Sequence, residues 1–390
     1  LIISLLTFFI WVFFGGIDLV SHGLFAALSV LVVACPCAVG LATPVALAAG
    51  LNKAARNHIL IRDTSALEQM RNVDVVVFDK TGTLTEGHPT VIGWLWAQGQ
   101  EEHYKDVLLA AESTSDHPLA EAIVTALEGE EQVIPAHLDG FENITGKGVR
   151  VTYQGAEYWV GSHKLLKDYQ ANLSDILADM LTQYESDGNS IVYFGRENDL
   201  LAVIAIKDQL RVTSMEAIRE LRIQDIEICM LTGDGERTAS SVAGSLGIMR
   251  FVADAMPDDK EDFIHKLQLQ GKTVAMVGDG VNDAQALSCA DVSIAMGKGT
   301  DTLMDTAMIT LRTSDLLLLP KVFRLSRQTV SLMYRNLFWA FIYNTVGIFV
   351  AAGVLYPVYD ILLSPALAGA AMALSCVSVA LSSLRLSSRF

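Results

Sequence analysis

Read for apolar and polar positions alone, the chain has greasy ends and a patterned middle. Residues 1–14, 23–50, about 332–355 and 361–381 are near-continuous apolar runs. All but the first approach the ~20 residues that cross a bilayer. They pair into two hairpins whose turns, "GGIDLVSHG" and "YPVYD", hold no Lys or Arg. Lys53, Arg56, Arg62, Lys321, Arg324, Arg327, Arg335, Arg385 and Arg389 lie at the opposite ends, so residues 52–327 are expected on the cytoplasmic side. There the period changes. "VDVVVFD" (73–79), "IEICMLTGD" (226–234) and "KTVAMVGD" (272–279) are short apolar runs ending in aspartate, the pattern of buried strands in a doubly wound α/β sheet. Such sheets bind ligands at the strands' carboxyl ends. Residues 91–203 interrupt them with strand and helix signals of their own and are long enough for an inserted α+β domain. The predicted segmentation is a clipped helix at 1–16, a helix at 22–51, a sheet domain at 70–90 and 204–320, the insertion at 91–203, and helices at 328–355 and 360–383.

Composition agrees with this mixture. Of 390 residues 51% are hydrophobic, and a mean hydropathy of +0.37 is high for a soluble domain. The formal net charge is -16, with the carboxylates crowded between Asp63 and Asp315, which argues against nucleic acid as a partner. Cys35, Cys37, Cys229, Cys289 and Cys376 do not form the spacing of a secreted disulfide framework, and a reducing compartment is expected. Residue 1 is a leucine within an apolar run, without signal-peptide features, so the chain reads as a fragment that starts inside a helix.

The run "LSVLVVACPCAVGLATPVAL" (28–47) is broken by Pro36 between two cysteines. On a regular helix residues i and i+2 point about 200° apart, so Cys35 and Cys37 would face different cavities. Pro36 lacks an N–H and opens the helix, which is tolerated in a membrane only where protein or water surrounds the freed backbone. Broken helices of this kind mark ion sites, and two thiolates select thiophilic ions over Mg²⁺, Ca²⁺ or Na⁺. Tyr343 and Asn344 in "FIYNTVG", and Met372 and Cys376 four apart on one helical face, are further candidates. Core packing for Met372 and Cys376, and an interfacial aromatic role for Tyr343, are the alternatives.

In the cytoplasmic block Asp79 opens "DKTGTLTEG" at the end of a strand, where a carboxylate can attack phosphorus. An anion approaching a polyanion requires a divalent cation and a lysine. Asp279 and Asp283 offer oxygens for Mg²⁺, Lys260 offers the charge, and Thr232 with Gly233 offers hydrogen bonds to phosphate.

"DKTGTLT", "TGD", "MPDDK" and "GDGVND", in that order, resemble the P-type ATPases, membrane pumps that form an aspartyl phosphate within a haloacid-dehalogenase-like fold. The resemblance implies phosphorylation of Asp79, Mg²⁺ held with Thr81 and Asp279, phosphoryl contacts from Thr232 and Lys260, and a site completed by Asn282 and Asp283. Gly235 stands where the family usually has Asn, losing a side-chain hydrogen bond. "AESTSDHPLAEA" and "ITGKGVRV" resemble the nucleotide-binding motifs of the heavy-metal subgroup, which implies ATP contacts from Glu112, His117, Gly146 and Gly148. Asp116 replaces the usual glutamate, and Gly161-Ser162 a Gly-Asn pair. Cys-Pro-Cys, Tyr-Asn and a Met followed four residues later by Cys376, where Ser is usual, resemble the copper(I)-exporting pumps. A zinc or cadmium pump is the alternative, but residues 361–381 lack the acid such pumps carry. The resemblance implies an integral membrane protein with cytoplasmic catalytic domains, in the inner membrane if bacterial. Its implied partners are the lipid bilayer, the transported Cu(I) or Ag(I) and a copper chaperone. It covers only the second part of a pump, since no actuator "TGE" loop occurs, so this chain alone is expected to phosphorylate without completing a cycle. A soluble haloacid-dehalogenase-type phosphatase and a non-catalytic metal-binding subunit are the readings from other classes.

Overall fold

The computed structural model describes residues 1–97, 101–115, 117–130, 133–171, 175–279, 283–297 and 307–388. Asp116 and Asn282 lie outside the described residues. The chain forms two compact units, residues 72–321 and residues 1–71 with 322–390.

Six parallel strands build the sheet of the first unit, in the order Ile309–Leu311, Val292–Met296, Val274–Gly278, Val75–Asp79, Glu227–Leu231, Arg250–Val252. Val75–Asp79 and Val274–Gly278 are buried at every position, because helices cover both faces of a parallel sheet. Register sets the site. Asp79 pairs with Leu231, and Phe78 with Val277. The three aspartate-tipped motifs therefore finish side by side at one end of the sheet. Helices Pro257–Leu269 and Ala284–Cys289 pack beside these strands, with Ile264, Leu267, Ala286 and Leu287 in the core of Val75, Val77, Val274 and Met276.

The insertion folds as a six-stranded antiparallel sheet, in the order Thr90–Trp96, Asp199–Lys207, Ser190–Arg196, Ala156–Gly161, Gly148–Tyr153, Gly140–Ile144. Glu101–Glu112 and Pro118–Glu128 cover one face around Phe194, Ile204 and Ile123. His163–Asp168 and Asp175–Ser186 contribute to a second core around Trp159 and Tyr193. The boundary expected at 203 falls inside Asp199–Lys207. Residues 200–206 form an unbroken buried run, with no turn residue to mark the domain edge.

The second unit contains helices Ile2–Gly15, Val20–Val33, Cys37–Arg56 and Pro365–Ser388, together with Leu318–Ala351 from Val322 onward. The helix expected at 22–51 is thus two helices, interrupted at 34–36 with Pro36 capping the second. The helix expected at 328–355 begins at Leu318 and ends at Ala351, and the one expected at 360–383 spans Pro365–Ser388. Among the described residues, Val20–Arg56 and Pro365–Leu386 are long and apolar enough to cross a bilayer, and Ile2–Gly15 is a shorter apolar helix. Leu318–Ala351 is not in that set, because Arg335, Asn336, Tyr343 and Asn344 dilute its apolar stretch. Side-chain hydrogen bonds tie this unit: Asn336 Nδ2 donates to Ser383 Oγ (3.0 Å) between two helices, and Ser29 Oγ donates to the carbonyl of Leu363 (2.6 Å), just ahead of Pro365–Ser388.

Candidate functional site

Asp79 ends the central strand almost fully buried, 6% exposed. Such a carboxylate needs a cationic partner. Lys260, one turn into helix Pro257–Leu269, supplies it: Nζ lies 2.6 Å from Asp79 Oδ1 and 2.5 Å from Asp283 Oδ1. Burial pulls the lysine pKa down, but Asp79 and Asp283 together outweigh it and hold the ammonium above its ordinary range. Burial, reinforced by the charge of Asp79, pushes Asp283 up to about 7. Its Oδ2 is buried and has no hydrogen-bond partner among the described residues.

Two further contacts were not anticipated from the sequence. Lys80, next to the nucleophile, is buried and pairs with Asp234 of "TGD", while donating to Ser190 Oγ at 3.1 Å. Burial opposes ionisation of Asp234, yet the Lys80 charge prevails and holds its pKa below the usual carboxylate range. Arg211 donates from Nε to the Thr83 carbonyl (2.9 Å) and from Nη2 to the Gly82 carbonyl (2.6 Å), and Ser214 Oγ donates to the Leu84 carbonyl (2.7 Å), so side chains brace the loop after Asp79. Lys80 and Asp234 do occur inside the motifs; Arg211 has no sequence signal. Gly82 has φ +69°, and a Cβ there would run into the Asp279 carboxylate.

Thr232 is buried beside this cluster, and its Oγ1 accepts the Asp234 N–H at 3.1 Å. Thr81 and Asp279 flank Asp79 on the same strand ends. Asp79 and Asp283 share one ammonium, and Asp279 brings a third carboxylate to the adjoining strand end. With the unpartnered Asp283 Oδ2, that donor set fits a divalent cation such as Mg²⁺. Gly235 occupies the N-cap of Glu236–Leu246 with no side-chain cap, although its carbonyl still accepts the Ala239 N–H at 3.0 Å.

In the insertion, Glu112 ends its helix 6% exposed, its carboxylate without a hydrogen bond or ion pair among the described residues, and burial pushes it up to about 7. His117 caps Pro118–Glu128 by accepting the Leu119 N–H on Nδ1 (3.2 Å). Its ring is exposed at the surface, but the protein around its other sides lowers its pKa, and it feels the charges of Asp234, Lys80, Asp79 and Lys260. This loop therefore lies within electrostatic range of the Asp79 cluster. Gly146 abuts Met256, just ahead of the Lys260 helix. Gly148, at φ +143°, lies so close to Val160 and Gly161 that a side chain would displace the hairpin, so sheet packing alone requires this glycine.

In the helical unit the break brings the two sulfurs together. Cys35 and Cys37 have Cα atoms 5.5 Å apart and are joined as a disulfide, so the free-thiol pair expected from the sequence corresponds to its reduced form. Met372 is buried in the cluster that Cys35 packs against, with Val30, Val33 and Ala368. Cys376 packs against the neighbouring cluster of Ala38, Ala42 and Ala340. Asn344 Oδ1 is buried and unpartnered among the described residues. Tyr343 behaves otherwise: it is 48% exposed and stacks on Trp339, with ring centroids 5.8 Å apart. The structure thus puts Cys35 and Met372 in one cluster, joins the exposed Cys37 to it through Cys35, puts Cys376 one cluster away, and leaves Tyr343 half exposed.

A central parallel sheet with an aspartate at the strand end, a lysine across it and a large insertion defines an α/β domain of hydrolase type, and the sequence profile of the haloacid dehalogenase-like hydrolases matches residues 73–291. The chain belongs to that family. Within it, the whole chain aligns with metal-exporting P-type ATPases. It is 43% identical over 386 residues to the copper-exporting P-type ATPase of Legionella pneumophila, covering 99% of this chain and 52% of that protein. It is 44% identical over 391 residues to the silver exporting P-type ATPase of Salmonella typhimurium, covering 100% and 47%. The solved structure of a zinc-transporting PIB-type ATPase in its E2.Pi state superposes with a TM-score of 0.70 at 32% identity, covering 98% of this chain and 61% of that one. The chain spans about half the length of the curated relatives it matches.

Proposed function

We propose that this chain supplies the phosphorylation, nucleotide-binding and metal-coordinating parts of an ATP-driven exporter of Cu(I), with Ag(I) as a second substrate. The observation that carries the reading is Lys260 held between Asp79 and Asp283 at the sheet's carboxyl end. There Asp79 Oδ attacks the γ-phosphorus of ATP; the new P–O bond forms as the bond to the bridging oxygen breaks, and ADP leaves with that electron pair. Lys260 offsets the anionic charge during approach, and Thr232 is placed to hydrogen-bond a phosphoryl oxygen. Asp79, Thr81 and Asp279 would hold Mg²⁺, which supplies neutralisation of phosphate charge. Glu112, His117, Gly146 and Gly148 are assigned to ATP, and His117 lies within electrostatic range of Asp79.

The cargo assignment rests on sulfur. Cys35, Cys37 and Met372 form a soft donor set, with Asn344 and Cys376 nearby, and no Asp or Glu lies in Pro365–Ser388 to balance a divalent ion. The copper- and silver-exporting relatives support the same choice, and the names of these relatives support a membrane location with cytoplasmic catalytic domains. A copper chaperone as donor is a further part of the proposal.

The test is a phosphorylation assay with γ-labelled ATP on the intact polypeptide that carries this chain, with Cu(I), Ag(I), Zn(II) or Cd(II) added singly. Cu(I) and Ag(I) are expected to drive an acid-stable phosphoenzyme that Asp79→Asn abolishes. Stimulation by Zn(II) and Cd(II) instead would transfer the chain to the divalent pumps, and label surviving Asp79→Asn would overturn the reading.

A further inference from the structure

We propose a second metal site, for a Zn(II)-class ion, formed by Glu261, His265 and Cys289 on the phosphorylation domain and separate from the transport sulfurs. Glu261 and His265 are one turn apart on helix Pro257–Leu269, so both project from one face. Cys289 ends the neighbouring helix Ala284–Cys289. Glu261 Oε1 lies 3.5 Å from His265 Nε2 and accepts a hydrogen bond from Cys289 Sγ at 3.4 Å. The three donor atoms all fall within 4.8 Å of one another. A tetrahedral zinc ion with bonds of about 2.0 Å to N and O and 2.3 Å to S spaces its ligands about 3.3–3.6 Å apart. Two of the three edges already have that length.

The hydrogen bonds around the histidine fix its orientation. Gln268 Nε2 donates to the Cys289 carbonyl (2.9 Å), which orients the carboxamide with Oε1 toward His265 Nδ1 at 3.1 Å. That oxygen accepts the Nδ1–H, which leaves Nε2 as the ring nitrogen on the Glu261 side, 3.5 Å from Oε1. Gln268 acts as the outer partner that fixes both the histidine tautomer and the cysteine backbone. Sulfur, imidazole and carboxylate together suit Zn(II): Cu(I) does not favour the carboxylate, and Mg²⁺ or Ca²⁺ does not favour sulfur. Three ligands leave a fourth position for water.

The site also has a lever. One helix carries Lys260, and the other starts immediately after Asp283, so an ion between Glu261, His265 and Cys289 ties together the two elements that hold the Asp79 pair.

The experiment uses the full chain with Cys35, Cys37 and Cys376 replaced by serine, titrated with Co(II) as a spectroscopic surrogate and then with Zn(II). A thiolate-to-cobalt charge-transfer band, displaced by Zn(II), is the expected result. Cys289→Ser should abolish it, whereas Glu261→Gln and His265→Ala should keep Cys289 and weaken Co(II) binding by about tenfold or more. Far-UV circular dichroism checks that each variant is folded. Absence of the band in the parent, or a band undiminished in Cys289→Ser, overturns the proposal.

Discussion

Gly82 lies between the nucleophile loop and the third carboxylate of the site. Its φ of +69° is a left-handed conformation, and the space a Cβ would need is occupied by Asp279. In Gly82→Ala the loop after Asp79 must shift or Asp279 must turn away, at a strain of roughly 1–3 kcal/mol. The expected outcome is a phosphoenzyme level lower by about tenfold or more, measured with labelled ATP, because a carboxylate cluster arranged for charge neutralisation does not tolerate such a shift. Wild-type labelling in this variant would show that the Gly82–Asp279 contact is dispensable. Glu112 presents the opposite case, a buried acid with no cation beside it among the described residues. Its pKa of about 7, against 4.5 unfolded, means that burial disfavours the charged form by about 3 kcal/mol. Because the folded value is raised, the associated stability is present below pH 4.5 and is lost as the pH rises through 7. Glu112→Gln removes that loss. The variant should match the parent near pH 4 and exceed it by about 3 kcal/mol at pH 8 in urea unfolding, followed by the fluorescence of Trp94, Trp96 and Trp159. Equal stabilities at pH 8 would remove the buried charge from the account.

At the scale of elements, the break between Val20–Val33 and Cys37–Arg56 is the feature on which the metal assignment turns. Pro36→Ala restores an N–H and removes the ring clash, so the two helices can join and swing Cys35 and Cys37 apart around the axis. Affinity for Ag(I), measured by competition with a chelator under reducing conditions, should drop by about tenfold or more; unchanged affinity would mean that the sulfurs converge without the proline. This break was legible in the sequence because one residue causes it. So were the three central strands, since apolar runs buried on both faces and ended by aspartate have few other solutions. Lys80 and Arg211 were not legible as braces, because a single buried cation has no periodicity and its partners, Asp234 and the Gly82 and Thr83 carbonyls, are set by tertiary packing. Tyr343, read as a metal candidate with an interfacial aromatic role as the alternative, is half exposed and stacks on Trp339: spacing puts a residue on a helix but not on a particular face of a bundle. Leu318–Ala351 starts ten residues before the expected 328, because Lys321, Arg324 and Arg327 mark the end of an apolar run without ending the helix.

For the whole molecule, the two units differ in what their surfaces require. In the helical unit Phe9 is 63%, Phe13 83% and Phe341 69% exposed, so its apolar side chains are turned outward together and need lipid or detergent. Residues 72–321 contain closed cores around Val75 and Met276, around Phe194 and Ile204, and around Trp159 and Tyr193, with fewer exposed large apolar residues, such as Val212, Met215, Met249 and Leu269, than the helical unit. Every residue assigned to ATP and to the aspartyl phosphate lies within this span. Residues 72–321 expressed alone should therefore remain monomeric without detergent in size-exclusion chromatography. They should bind ATP, by calorimetry, within about threefold of the affinity of the intact chain. The intact chain should precipitate when detergent is withdrawn. An excised unit that aggregates would show that its cores depend on the helical unit. One that folds but binds ATP tenfold more weakly would show that a residue outside 72–321 completes the nucleotide site, and the assignment of Glu112, His117, Gly146 and Gly148 would then have to be extended.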